Sequence, residues 1–202
     1  MPPPGDIEIV NEPPIKFTPV VGPLEKKKVL VIGSPKSGTT YMAWLLRELG
    51  LRVEHERMGE DGTVNAAWLV AKIENDPLFK EEKGRQHFMF DRVIHLVRHP
   101  LATIASLRAM PPWPFLRWQY IWTGIMFKEP EIPPAWMLAK LWIWWTDRCE
   151  STADTTIRLC DIMDIGPPKN VTVAPTPLVH WEDIDDELTL EALRHRAEKY
   201  GW

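Results

Sequence analysis

The stretch Val29-Leu30-Val31-Ile32, ended by Gly33, constrains the fold of this chain more than any other feature. A continuous aliphatic and β-branched run of this length fits a strand buried on both faces. The turn Gly33–Tyr41, GSPKSGTTY, follows at once, and Met42, Leu45, Leu46 and Leu49 then recur at helical spacing before Gly50. Strand, tight turn and helix in that order open a unit that needs a parallel sheet with helices on its faces. The rest of the chain repeats the alternation. Leu51-Arg52-Val53 predicts a short second strand, and Val64, Ala67, Trp68 and Ala71 a helix broken at Asp76-Pro77. Residues 76–91 read as polar loop, Val93–Val97 as the next buried strand, and Pro100 as the first turn of a helix facing inward through Leu101, Ile104 and Ala105. Leu138, Leu141, Trp142 and Trp145 mark a long helix, Thr156–Leu159 a strand, and Leu190, Leu193, Ala197 and Tyr200 the face of a last helix. The expectation is a single α/β domain over residues 25–202, with its core starting after Lys26-Lys27-Lys28. Residues 1–24 carry seven prolines and read as an extended arm.

Charge and composition narrow the function. Lysine and arginine number 24 against 28 acidic residues, a net charge of −4, which argues against a general nucleic-acid binder. No apolar run approaches the roughly 18–20 residues that span a bilayer, and the N-terminus lacks the pattern of a secretory leader. A cytoplasmic protein is expected. Cys149 and Cys160 make no CxxC pair, and the histidines show no ligand spacing, so no metal site is expected.

The Gly33–Tyr41 turn carries the strongest chemical signal. A strand that enters such a turn and leaves directly into a helix points several backbone N–H groups outward, and these with the helix dipole attract a phosphate or sulfate. Thr39 and Thr40 add hydroxyls, and Lys36 adds a mobile positive charge. The spacing approaches the nucleotide loop GxxxxGK[ST] but has Thr39 where that loop has its lysine. The Val93–Val97 strand ends in Arg98 rather than in an acidic residue suited to Mg²⁺. Both departures suggest a loop that binds an anion without recruiting a metal; the plain alternative is a turn that only links strand to helix.

Arg98 closes its strand at the edge where open α/β sheets bind ligands, and Ser106 lies eight residues on. Alone, that pair suits an ordinary surface. Beside the loop it suits a second phosphate, because the planar guanidinium matches phosphate oxygens, and two such sites on one sheet edge fit a bisphosphorylated nucleotide.

These residues resemble a family. Pro35–Tyr41, PKSGTTY, resembles the PKSGTTW loop of sulfotransferases that use 3′-phosphoadenosine-5′-phosphosulfate (PAPS), and LVRHPLATIASL resembles their 3′-phosphate motif. The resemblance implies a P-loop NTPase-like sulfotransferase fold. It implies that Pro35, Lys36, Ser37, Gly38, Thr39 and Thr40 surround the 5′ group, Tyr41 lies near adenine, and Arg98 and Ser106 hold the 3′-phosphate. On that reading Arg98 should matter to ligands with a 3′-phosphate and hardly to adenosine-5′-phosphosulfate. The likeness continues in WxxW at Trp142 and Trp145, in IRLCDI with Cys160 at the acidic position of RYEDL, and in HWEDI before the last helix. No late GxxGxWK segment is present in the sequence, and the short chain looks most like bacterial or phage members. PAPS would be the co-substrate, its desulfonated product 3′-phosphoadenosine-5′-phosphate (PAP), and the acceptor a small molecule, carbohydrate or peptide.

Sulfuryl transfer to a hydroxyl calls for a base. The segment VEHERMGEDG offers His55, Glu56, Glu60 and Asp61. In carbohydrate and tyrosyl-protein sulfotransferases the base is a glutamate about twenty residues beyond the loop's basic residue, and Glu56 stands that far from Lys36. His55 is the alternative, and a solvated turn with Glu56 paired to Arg57 is the plain reading. His95 reads as a core residue, while His99 fits either a nucleotide contact or plain structure. Trp113, Trp118, Tyr120, Trp122, Met126 and Phe127 crowd a Pro-rich stretch that suits an acceptor pocket, a core or a dimer surface. Two other functions fit the same features: a P-loop nucleotide or small-molecule kinase, and a non-catalytic nucleotide-binding protein.

Overall fold

The computed structural model describes residues 25–69, 88–109, 133–163 and 178–202. Five strands form one all-parallel sheet: β1 Glu25–Ile32, β2 Val53–His55, β3 Gly62–Val64, β4 Phe88–Val97 and β5 Thr155–Arg158, in the order β2-β3-β1-β4-β5. Among the described residues four helices of eight residues or more accompany them: α1 Thr39–Glu48, α2 Pro100–Arg108, α3 Ala135–Thr152 and α4 Glu187–Lys199. The expected α/β architecture is therefore present, with the sheet flanked by helices.

The alternation along β1 explains how both faces are filled. Val29 and Val31 pack with Met42, Leu45 and Leu46 of α1, whereas Leu30 and Ile32 pack with α2, α3 and Leu193 of α4. Val31 and Ile32 are fully buried, so neither side of the Val29–Ile32 half of the strand meets water, which is why that stretch is continuously apolar. Trp142 and Trp145 are likewise fully buried on α3; the WxxW pair belongs to the core.

Several boundaries differ from the sequence reading, each for a pairing reason. β1 begins at Glu25 and takes in Lys26-Lys27-Lys28, because β4 begins at Phe88 and pairs Lys26 with Met89 and Lys27 with Phe90. The lysines are neutralised along that end: Lys26 by Asp91 at 2.7 Å, Lys27 by Glu25 at 2.7 Å and Lys28 by Asp61 at 3.0 Å. Residues 88–91, expected in a loop, are thus strand. Val64 belongs to β3 rather than to a helix, since the register Val29↔Gly62, Leu30↔Thr63, Val31↔Val64 places it against β1. Only a single helical turn, Ala66–Leu69, remains of that expected helix, and Ala71 lies outside the described residues. The second strand is Val53–His55, shifted from Leu51–Val53, and Leu159 begins the short helical turn Leu159–Ile162 rather than ending β5. The arm at 1–24 and the aromatic residues from Trp113 to Phe127 lie outside the described residues.

With all strands parallel, their carboxyl ends share one edge. The chain leaves β1 toward β2 and β3 on one side, then crosses to β4 on the other. The loop at Gly33–Gly38 therefore opens where the winding reverses, the usual ligand crevice of such sheets. Glu56, Arg98 and Leu159 follow β2, β4 and β5 onto that same edge.

Candidate functional site

Gly33 starts the loop because nothing larger fits: a Cβ there would lie 2.5 Å from the Leu96 carbonyl oxygen and 2.5 Å from Ser37 Oγ. The Ser37 N–H donates to the Ser34 carbonyl at 3.0 Å, closing a tight turn around Pro35 and Lys36. Lys36 has φ 67° and Gly38 φ 98°, so the chain passes through the left-handed region twice before entering α1. The Met42 N–H donates to the Gly38 carbonyl at 3.0 Å as the helix ladder begins, which leaves the Thr39 and Thr40 amides ahead of it with no partner in the ladder. Ser37 is fully buried and its Oγ has no hydrogen-bond partner among the described residues. Thr40 and Lys36 are exposed. Amides, an unsatisfied hydroxyl and a lysine thus meet at a helix N-terminus, a setting suited to an anion.

Arg98, at the end of β4, reaches this loop: its Nη1 donates to the Lys36 carbonyl at 3.1 Å. Burial pulls its pKa down, and no carboxylate among the described residues pairs with it. Such a half-buried, uncompensated guanidinium favours an anionic partner. Ser106 lies partly exposed further along α2, with no hydrogen bond to Arg98 among the described residues.

The turn after β2 contributes His55 and Glu56. His55 Nε2 lies 3.0 Å from Thr39 Oγ1, tying the end of β2 to the first residue of α1. Burial lowers the pKa of His55, the Glu56 carboxylate works against that, and Arg47 adds to it. Glu56 has φ 59°, its N–H donates to the Val64 carbonyl at 3.0 Å, and its Oε1 is 3.9 Å from His55 Nε2. Glu56 makes no ion pair with Arg57 among the described residues; its carboxylate lies beside His55 instead. Among the described residues, Lys36 and Glu56 are the non-glycine positions with positive φ. That conformation is unfavourable for a side-chain-bearing residue and concentrates at functional sites. The other two acids have structural partners: Glu60 pairs with Arg52, and buried Asp61 accepts from the Arg52 N–H at 2.8 Å and pairs with Lys28. Those contacts, the Arg52 amide first, hold the Asp61 carboxyl down to about 2.

Sequence reasoning missed how the β5 side supports the loop. Tyr41 donates its hydroxyl to the Ile162 carbonyl at 2.9 Å and packs its ring against Trp44. A Cβ on Gly38 would come within 2.7 Å of the Leu159 methyls. In IRLCDI it is Asp161, not the Cys160 position, that receives Arg158, through bonds of 2.8 and 2.7 Å; Arg158 also donates to the Tyr200 carbonyl. His99 sits between the rings of Trp181 and Trp202, at 6.1 and 5.3 Å. Apart from the local Tyr41–Trp44 and Arg158–Asp161 pairs, these contacts join residues far apart in the chain, and no local sequence pattern marks them. His95 is in the core: 1% exposed, 3.4 Å from Thr156 Oγ1, with burial pushing its pKa down to about 4.

Among the described residues no three His, Cys, Asp or Glu side chains gather as a metal cage, and no helix is long and apolar enough to cross a membrane. The chain matches no family model, no curated protein and no solved structure.

Proposed function

We propose that the protein is a PAPS-dependent sulfotransferase with a P-loop-like nucleotide site, moving a sulfuryl group to an acceptor hydroxyl or amine. The observation that carries this reading is the Arg98 N–H on the Lys36 carbonyl, which makes neighbours of two motifs that lie 62 residues apart. A nucleotide with anionic groups at both its 5′ and 3′ ends suits that pairing.

The residues present fit such a ligand. The first-turn amides and the buried Ser37 hydroxyl offer donors without an internal partner, and a phosphate's oxygens accept several at once. Lys36 and Arg98 add positive charge free of competing carboxylates among the described residues. PAPS would supply an activated sulfuryl group at its 5′ end. Lys36 would balance charge gathering on the departing phosphate oxygen, a role for a mobile cation at a developing anion. Thr39, where an ATP-binding loop has its lysine, is instead buried and bonded to His55. Glu56 would take the acceptor's proton, and His55 would stand between it and the loop. Free Cys149 and Cys160 suit a reducing compartment, and we place the activity in the cytoplasm.

Transfer of label from ³⁵S-PAPS to a panel of sugars, phenols, lipid alcohols and tyrosine peptides tests this directly. The account expects label in at least one acceptor class, lost in Lys36→Met. Tight binding of PAPS with no label moved to any class would favour a nucleotide-binding protein without turnover.

A further inference from the structure

The peptide unit between Lys36 and Ser37 is held from both of its ends. Its carbonyl oxygen accepts from Arg98 Nη1 at 3.1 Å, and its N–H donates to the Ser34 carbonyl at 3.0 Å. Rotation of this plane turns the chain about ψ of Lys36 and φ of Ser37, directly after the positive φ of 67° at Lys36, a conformation that costs an L-residue energy and has to be held by its surroundings. The Ser34 bond is internal to the turn and moves with it. Arg98 instead belongs to the end of β4, whose neighbours Leu96 and Val97 are buried in the sheet, so its bond references the loop to a rigid element.

We propose that Arg98 is a positioning residue for the phosphate loop: it clamps the Lys36–Ser37 peptide, so that its loss weakens anion capture at the loop even for ligands with no 3′-phosphate. A guanidinium has five N–H donors in a fixed plane, so one can hold the carbonyl while others remain for a ligand. Lysine offers no such fork. The inference deepens the sulfotransferase reading and changes what that reading predicts, since adenosine-5′-phosphosulfate would no longer be indifferent to Arg98. The clamp itself rests on the loop geometry alone.

Hydrogen exchange of the ligand-free protein reads the clamp without any nucleotide. In Arg98→Lys, and in Arg98→Ala, the Ser37 amide should exchange roughly ten-fold faster or more, the scale of losing one charge-assisted hydrogen bond. Amides of Val31 and Ile32 should keep their protection, which separates a local release from general loosening. Calorimetry with inorganic pyrophosphate should show binding weakened by a similar factor in Arg98→Lys. Unchanged Ser37 exchange in both variants overturns the inference while leaving the nucleotide reading intact. Faster exchange in a protein whose wild type binds no adenosine bisphosphate supports the clamp and sinks the sulfotransferase reading instead. Equal acceleration at Ser37 and at Val31 would make Arg98 a general support of the sheet and also overturn the proposal.

Discussion

His55 Nε2 stands 3.0 Å from Thr39 Oγ1, so the residue standing where an ATP-binding loop has its lysine is tied to the end of the strand that precedes the proposed base, Glu56. With its hydrogen bond committed there, His55 orients the turn, and the carboxylate of Glu56 faces it at 3.9 Å. Glu56→Gln keeps the shape and removes the proton acceptor; turnover should fall by about 10²- to 10⁴-fold with nucleotide affinity nearly unchanged. His55→Ala should cost less. Steady-state rates across pH 5–9 with one saturating acceptor check both, and a reversed order would assign the base to His55, whose pKa lies below its ordinary value because of burial.

Strain at Glu56 gives an independent test of the same residue. Its φ of 59° costs a side-chain-bearing residue about 1–2 kcal/mol, part of which glycine gives back through unfolded-chain entropy, about 0.5–1 kcal/mol. Glu56→Gly should therefore raise unfolding free energy by about 0.5–1 kcal/mol while abolishing turnover. Urea denaturation alongside the transfer assay measures this. A variant both less stable and still active would mean that the strained conformation serves neither purpose.

Lys36→Met should lower single-turnover transfer by about 10²-fold or more. Affinity for PAP should change far less, since the loop amides and Arg98 remain. Weakened PAP binding with an unaltered single-turnover rate would contradict the role given to Lys36.

His95 predicts the pH dependence of stability. Its pKa is about 4 in the fold, against 6.5 in the unfolded chain, chiefly through burial, with Glu150 opposing and Lys199 reinforcing the shift. Between those values the unfolded chain binds more protons, so the contribution is complete above pH 6.5 and is lost as pH falls toward 4. About 3 kcal/mol is at stake for this residue. His55 and His99 shift in the same direction, so His95→Gln should flatten the acid limb of the stability curve without abolishing it. Chemical denaturation at pH 7, 5.5 and 4.5 shows whether it does.

What the sequence made legible followed local chemistry. β1, α1 and the α2 start at Pro100 were readable because apolar periodicity and turn residues coincide there, and the loop because its glycines and hydroxyls are contiguous. The Phe88–Asp91 part of β4 was not, since it follows directly on a polar run and is strand by pairing with Glu25, Lys26 and Lys27 of β1. Val64 showed a helical spacing with Trp68, yet its place beside Val31 made it strand. Within the candidate site, Lys36, Thr39, His55 and Arg98 were singled out by residue type and spacing, and Glu56 among its neighbouring acids by the family resemblance. Their links were not: a hydroxyl to a histidine and a guanidinium to a carbonyl depend on which strands lie side by side, and strand order has no local signal.

Calorimetric titration of the metal-free protein with PAP, compared with ATP and Mg²⁺, tests the central claim most directly. On the proposed reading PAP would present anions to both the loop and Arg98, so the account predicts that it binds more tightly than ATP and raises the melting temperature further, with no effect of a chelator. A preference for ATP that vanishes when the chelator is added would contradict the account and identify a kinase.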